Sequence, residues 1–182
     1  MSKKLIFSIS ILLLLMGRTV AFAQVYTAQN GTATFEAKMP LNSYIGETDQ
    51  LEGSIDFTTG KVDFTVPVKS IKTGNEKRDG HMYELLEAQK NPKVVFKGQL
   101  TEDFDLDTTS KHTVKAKGDF TLAGSTRQIT LPLDLNPVSK GIQLKASWSL
   151  LITDYGLERP SLMFIKVKDQ HDLSVDVLLT EK

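Results

Sequence analysis

From about residue 32 onward the chain alternates apolar and polar residues, the two-residue period of a strand with one buried face. Ala33, Phe35, Ala37 and Met39 share one face of the first such run. Leu51, Gly53, Ile55 and Phe57 follow, then Val62, Phe64, Val66 and Val68. After an interruption the scheme resumes with Val94, Phe96, Gly98 and Leu100, and next with Val114, Ala116, Gly118, Phe120 and Leu122. Ile129, Leu131, Leu133 and Leu135 make a sixth run, and Ile142 to Ile152 a seventh that includes Leu144, Ala146 and Trp148. Leu173, Val175, Val177 and Leu179 close the chain, so the pattern predicts eight strands.

Thr59-Gly60, Gly124-Ser125 and Ser139-Lys140-Gly141 are short turn signals of the kind that join hairpins. Sequential hairpins with one apolar face hide that face and both sheet edges by rolling closed. The expected fold is therefore all-β, an eight-stranded antiparallel barrel. Pro67 and Pro132 fall inside strands, where proline cannot donate to a ladder, and are expected to mark bulges or open seams. Two stretches break the period. Lys77 to Asn91 places Met82, Leu85, Leu86 and Ala88 at helical spacing, with Asp79 as expected N-cap and a stop at Asn91-Pro92. One short helix is thus expected between strands three and four, plugging or flanking a barrel end. Thr153 to Gln170 is a longer connection whose apolar centre, Leu162-Met163-Phe164, is expected to cover an opening.

The first two dozen residues have another purpose. Lys3 and Lys4 precede an apolar run from Leu5 to Met16, and Ala21-Phe22-Ala23 has the small-x-small form read by a signal peptidase. A run of about a dozen is short of the ~20 residues that span a bilayer. Residues 1–23 are expected to be a cleaved signal peptide, with cleavage near Ala23-Gln24, and residues 24–182 one barrel domain in the periplasm or secreted. Loss of Lys3, Lys4 and Arg18 leaves 19 basic residues against 22 acidic ones, a net charge of −3. Such a balance gives no electrostatic footprint for nucleic acid or an anionic membrane surface. The chain has no cysteine, so disulfides, thiol nucleophiles and thiolate metal sites are excluded together.

The chemistry expected is binding. Glycine and alanine are frequent on the inward face (Gly53, Gly98, Gly118, Ala33, Ala37, Ala116, Ala146), which argues for a hollow interior, although glycines also serve tight bends in a curled barrel. The expected lining is Phe35, Phe57, Phe64, Phe96, Gly98, Gly118, Phe120, Leu144 and Trp148, suited to a lipid or other elongated apolar ligand. Arg78, Asp79 and His81 stand together beside Thr73-Gly74-Asn75. They read either as a polar cluster at the barrel mouth that holds a head group, or as a turn, a cap and an ion pair that organise the loop. Asp154-Tyr155-Gly156 reads as a turn leaving a strand. His81, His112 and His171 have no metal-ligand spacing, so no metal or cofactor is expected. An alternative function, an enzyme acting on a lipid or prenyl substrate, would place His81 at the pocket mouth with Asp79 or Arg78 as its partner.

Several segments in chain order resemble the YceI-like family. They are Val66-Pro67-Val68-Lys69-Ser70-Ile71, Thr73-Gly74-Asn75, Arg78-Asp79-Gly80-His81-Met82, Asn91-Pro92-Lys93-Val94-Val95-Phe96, the stretch Gly118 to Leu131 with Thr126-Arg127 at its centre, and Thr153-Asp154-Tyr155-Gly156-Leu157. The resemblance implies an extended, lipocalin-like barrel, usually periplasmic, that holds a polyisoprenoid or similar long-chain lipid and has no established catalytic residues to carry over. The chain departs from the commonest family pattern at Met82-Tyr83-Glu84 and lacks the Gly-x-Trp of true lipocalins.

Overall fold

The computed structural model describes residues 24–40, 42–162 and 165–182. The expected signal segment, and Met163 and Phe164 of the expected cover, lie outside the described residues. Strands β1 (Val25–Met39), β2 (Asn42–Asp56) and β3 (Lys61–Pro67) precede helix α1 (Glu76–Leu85). Strands β4 (Lys93–Leu100), β5 (His112–Leu122), β6 (Ser125–Val138) and β7 (Gly141–Leu151) follow. A two-residue pair, β8 (Ser161–Leu162) and β9 (Ile165–Lys166), precedes the last long strand, β10 (Gln170–Glu181). The eight long strands close into an antiparallel barrel in the order β1-β10-β7-β6-β5-β4-β3-β2. The expected fold class is found, including the helix between the third and fourth strands.

β1 and β2 are each 15 residues long and start earlier than the alternation suggests. The reason is a bulge. The ladder slips between Ala28 and Thr32, where Asn30 takes φ 56°, so the inward set changes phase from Ala28 to Ala33, Phe35 and Ala37. The early half of β2 faces Tyr44, Gly46 and Thr48 to the neighbouring β1 residues Ala37, Phe35 and Ala33. One aromatic, one glycine and one threonine leave little apolar signature.

Elsewhere local chemistry closes the hairpins as expected. Between β5 and β6, Ala123 (φ 49°) and Gly124 (φ 77°) form a two-residue turn with both φ positive, the kind whose twist matches the flanking strands. Both prolines stand near points where ladders part. The β2–β3 ladder ends at Glu52 and Thr65, two residues before Pro67. The β6–β7 ladder runs only from Asp134–Lys145 to Val138–Gly141, just beyond Pro132. The first seam is bridged by mutual backbone hydrogen bonds of 2.8 Å between Glu47 and Lys72. At the second, Tyr155 is buried in the turn that leaves β7 and meets Phe120 edge-on at 5.8 Å. Asp154-Tyr155-Gly156 is thus a turn, ended by Gly156 at φ 74°.

The two halves of the barrel are packed differently. At the end where β1 begins and β10 ends, Ile55, Val62, Val114, Leu135, Leu144 and Leu179 are fully buried and fill the interior. Each such side chain contributes about 1.5–3 kcal/mol by leaving water. Phe104, on the β4–β5 connection, closes this end against Phe57, which in turn meets Tyr26. At the opposite end α1 lies across the opening. Asn75, not Asp79, caps it: the Asn75 side chain accepts a hydrogen bond from the Arg78 backbone N–H at 3.0 Å. The helix stops at Leu85, with Leu86 as C-cap, because the chain then turns through Glu87 at φ 48°.

Candidate functional site

Three cavities follow one another from the middle of the barrel to the α1 end. The innermost has a volume of about 100 Å³ and is walled by Phe35, Phe64, Phe96, Phe120 and Trp148, with Thr65 among its few polar neighbours. A second, of about 120 Å³, lies beneath α1 and shares Phe35, Ile71, Val94, Phe120 and Leu173 with the first. The third is an open mouth of about 600 Å³ between α1, Tyr44 and the Glu158–Ser161 segment. Tyr44, Met82, Leu85 and Pro160 belong to both the second and the third. The lining is therefore mainly apolar inside, with Thr65 and His171 as exceptions, and most polar where it meets solvent.

Five of the expected lining residues, Phe35, Phe64, Phe96, Phe120 and Trp148, wall the inner cavity. The other four do not, and the structure corrects them. Phe57 lies at the closed end against Phe104, and Leu144 belongs to the solid lower core. Gly98 and Gly118 face each other across the β4–β5 ladder, and a Cβ on Gly118 would stand 2.3 Å from the Lys97 carbonyl oxygen. These glycines let two strands approach and coil; they do not hollow the interior. The bend reading of the inward glycines wins at this pair.

The polar cluster is divided as well. Arg78 and His81 line the mouth. Asp79 does not: it is buried and accepts from the Thr73 backbone N–H at 2.8 Å and the Thr73 hydroxyl at 2.6 Å. Burial works against its charge, but the Thr73 hydrogen bonds, with Lys72 and Arg78 nearby, hold its carboxyl below the usual range. Arg78 donates from Nε to the Thr73 hydroxyl at 2.9 Å and from Nη2 to the Thr73 carbonyl at 2.8 Å. The two charges thus meet through Thr73, which pins the first turn of α1 to the chain before it. Its guanidinium also stacks over Tyr44, 4.5 Å from the ring centroid. His81 is two positions from Asp79 on the helix, so the two side chains face different ways. Of the two partners considered for His81, Asp79 is therefore turned away, while Arg78 shares the mouth with it.

Tertiary structure adds residues that the sequence pattern gave no part in the site. Lys77 and Arg159 join Arg78 and His81 at the mouth, against one carboxylate, Glu158. His171, at the start of β10, is buried against the second cavity and packs on Phe35 with ring centroids 6.0 Å apart. Burial lowers its pKa below the ordinary histidine value, opposed by the Asp169 carbonyl 3.1 Å from Nδ1. Tyr83, on the other side of α1, donates to the Ile71 carbonyl at 2.7 Å and receives Lys72 Nζ at 2.9 Å, which holds the helix over the opening.

A small extended barrel, solid at one end and hollow with a cationic rim at the other, defines a lipocalin-like binding fold. The chain belongs to the YceI-like family, whose domain matches residues 25–179. Solved structures share the fold at low sequence identity. A polyisoprenoid-binding domain from Saccharophagus degradans is 15% identical, with a TM-score of 0.71 over 88% of this chain and 100% of its own. The BcnA protein of Burkholderia cenocepacia is 10% identical, with a TM-score of 0.64 over 81% and 94%. The YceI protein of Campylobacter jejuni is 18% identical, with a TM-score of 0.54 over 92% and 90%. Among curated proteins, none matches the sequence.

Proposed function

We propose that this protein is exported and holds one long apolar chain, an isoprenoid or similar lipid, for transport or storage. The observation that carries the reading is the row of cavities with shared apolar walls, from the Phe64–Phe96–Phe120–Trp148 cavity, under α1, to a mouth ringed by Lys77, Arg78, His81 and Arg159. Burial of an alkyl or prenyl chain there gains about 0.8 kcal/mol per CH₂. The cationic rim suits an anionic or strongly polar head at the solvent end. The described binding of polyisoprenoid by the Saccharophagus degradans domain, which has the same fold, supports this ligand class. The apo cavities are smaller than the ~300–1,000 Å³ of typical ligand sites, so a long chain enters by swinging aside the walls, chiefly Phe35, Met82 and Leu85. Export rests on the Lys3-Lys4, apolar and Ala21-Phe22-Ala23 pattern at the N-terminus.

The test is organic extraction of protein purified from its natural host, followed by mass spectrometry, together with uptake of polyprenols by the delipidated protein. Release of a long-chain lipid and saturable uptake are expected. Clean protein that also takes up no polyprenol would overturn the reading. N-terminal sequencing of the same sample checks that the mature chain starts at Gln24.

A further inference from the structure

The inner cavity is lined almost wholly by carbon, yet two buried polar atoms at residues around it have no partner among the described residues: the indole Nε1 of Trp148 and the hydroxyl of Thr65. A buried donor without a partner costs about 1–3 kcal/mol, and proteins rarely keep one without a purpose. Water is a weak remedy, since a buried water needs two to four polar partners and these two atoms would give it the least of that range, in a cavity walled chiefly by Phe35, Phe64, Phe96 and Phe120. Phenylalanine would serve packing alone at position 148. Trp148 meets Phe120 edge-on at 5.8 Å, a contact that needs only the ring. The indole N–H is the part of the side chain that packing leaves unexplained.

We propose that the ligand is not a plain hydrocarbon at its inner part: it carries a neutral oxygen acceptor, a carbonyl or ether oxygen, that receives a hydrogen bond from Trp148 Nε1 in the inner cavity. An indole N–H donates and never accepts, which selects oxygens with free lone pairs. The apolar surroundings exclude a charged group, because an unpaired ion there would keep none of its hydration. This inference rests on the lipid-holding reading and narrows it to the chemistry of the inner part of the chain. A ligand of this kind binds with an uncharged oxygen-bearing part innermost and its polar or anionic head, if it has one, at the Lys77–Arg78–Arg159 rim.

Trp148 is the only tryptophan in the chain, so it gives a single indole N–H signal in a ¹H–¹⁵N NMR spectrum of labelled whole protein. The probes are a long-chain methyl ketone and the 1-alkene of equal length, each delivered from cyclodextrin to delipidated protein, with a polyprenol as reference. The ketone is expected to move the indole proton downfield and to bind about tenfold more tightly than the alkene. Trp148→Phe is expected to bring the two probes to equal affinity, measured by competition against the polyprenol. Equal affinities for ketone and alkene in the wild-type protein, with the indole signal unmoved by the ketone, would overturn the proposal and leave the lipid-holding reading standing. Failure of ketone, alkene and polyprenol alike would overturn both. The wild-type spectrum decides the matter even if Trp148→Phe does not fold.

Discussion

Gly98 on β4 and Gly118 on β5 are directly paired, and a Cβ built on Gly118 would stand 2.4 Å from the Gly98 Cα. The same Cβ meets the Lys97 carbonyl oxygen, which is backbone and cannot turn aside. Any side chain at 118 therefore pushes the strands apart. Gly118→Ala is expected to lower stability by about 1–3 kcal/mol, in the range of overpacking in a tight interior. Urea denaturation at constant m-value checks this. Ligand uptake by the folded fraction should be unchanged, since neither glycine lines the cavities.

Asp79 is expected to act on the fold and not on a ligand. In Asp79→Ala the Thr73 N–H and hydroxyl lose their buried acceptor, which costs about 1–3 kcal/mol and loosens the start of α1. The folded-state pKa of Asp79 is depressed, so its contribution is present above the ordinary aspartate value of about 3.9 and is lost as pH falls through the folded value. Asp79→Asn should flatten that acid limb in a pH series of thermal melts. An unchanged acid limb would mean that the Thr73 hydrogen bonds do not favour the ionised form.

His171 has the same sign of linkage in a higher pH window. Its folded pKa is lowered, chiefly by burial, so as pH falls through about 6.5 the unfolded chain takes up a proton that the folded chain resists. Stability is expected to decline from pH 7 until the folded pKa is passed, and then to level off as far as this group is concerned. Replacement by phenylalanine, which keeps the contact with Phe35, should remove this part of the decline. Chemical denaturation of both proteins between pH 5 and 8 makes the comparison.

Thr65 offers a gain. Its hydroxyl is buried without a partner among the described residues, so Thr65→Val exchanges an unpaired polar atom for a methyl group of similar size on a strand that favours both residues. An increase of about 1 kcal/mol in unfolding free energy is expected, read from the denaturation midpoint.

The rim should discriminate by charge. Lys77→Glu together with Arg159→Glu leaves Arg78 and its Thr73 contacts in place but reverses the field at the mouth. Affinity for a prenyl phosphate is expected to fall about tenfold, while uptake of the uncharged prenol stays the same. Isothermal titration at two salt concentrations checks both, since the phosphate term alone weakens with salt.

The number of barrel strands, their antiparallel hairpin order and the place of α1 were legible along the chain, because a half-buried strand must repeat every two residues and each turn needs its own residue types. The same rule explains what was hidden. A bulge at Asn30 shifts the phase of β1, and Tyr44, Gly46 and Thr48 face inward without an apolar signature, so the first hairpin reads as shorter than it is. Helical spacing located α1 but not its cap, since Asn75 and Asp79 both lie in reach of the first turn.

What each inward residue does was decided only in three dimensions. Alternation assigns Phe57, Phe64, Leu144 and Trp148 to one face with equal force, but distance along the barrel axis separates a solid end from a hollow one. Inward glycines look like empty space in a sequence, whereas Gly98 and Gly118 are filled by each other's backbone. The mouth joins α1 to the Glu158–Ser161 segment, some eighty residues away, and His171 reaches the cavity from a third element. Periodicity is a local property and survives in the sequence; the depth of a cavity and the company of a charge arise from closure of the sheet, which brings distant segments together.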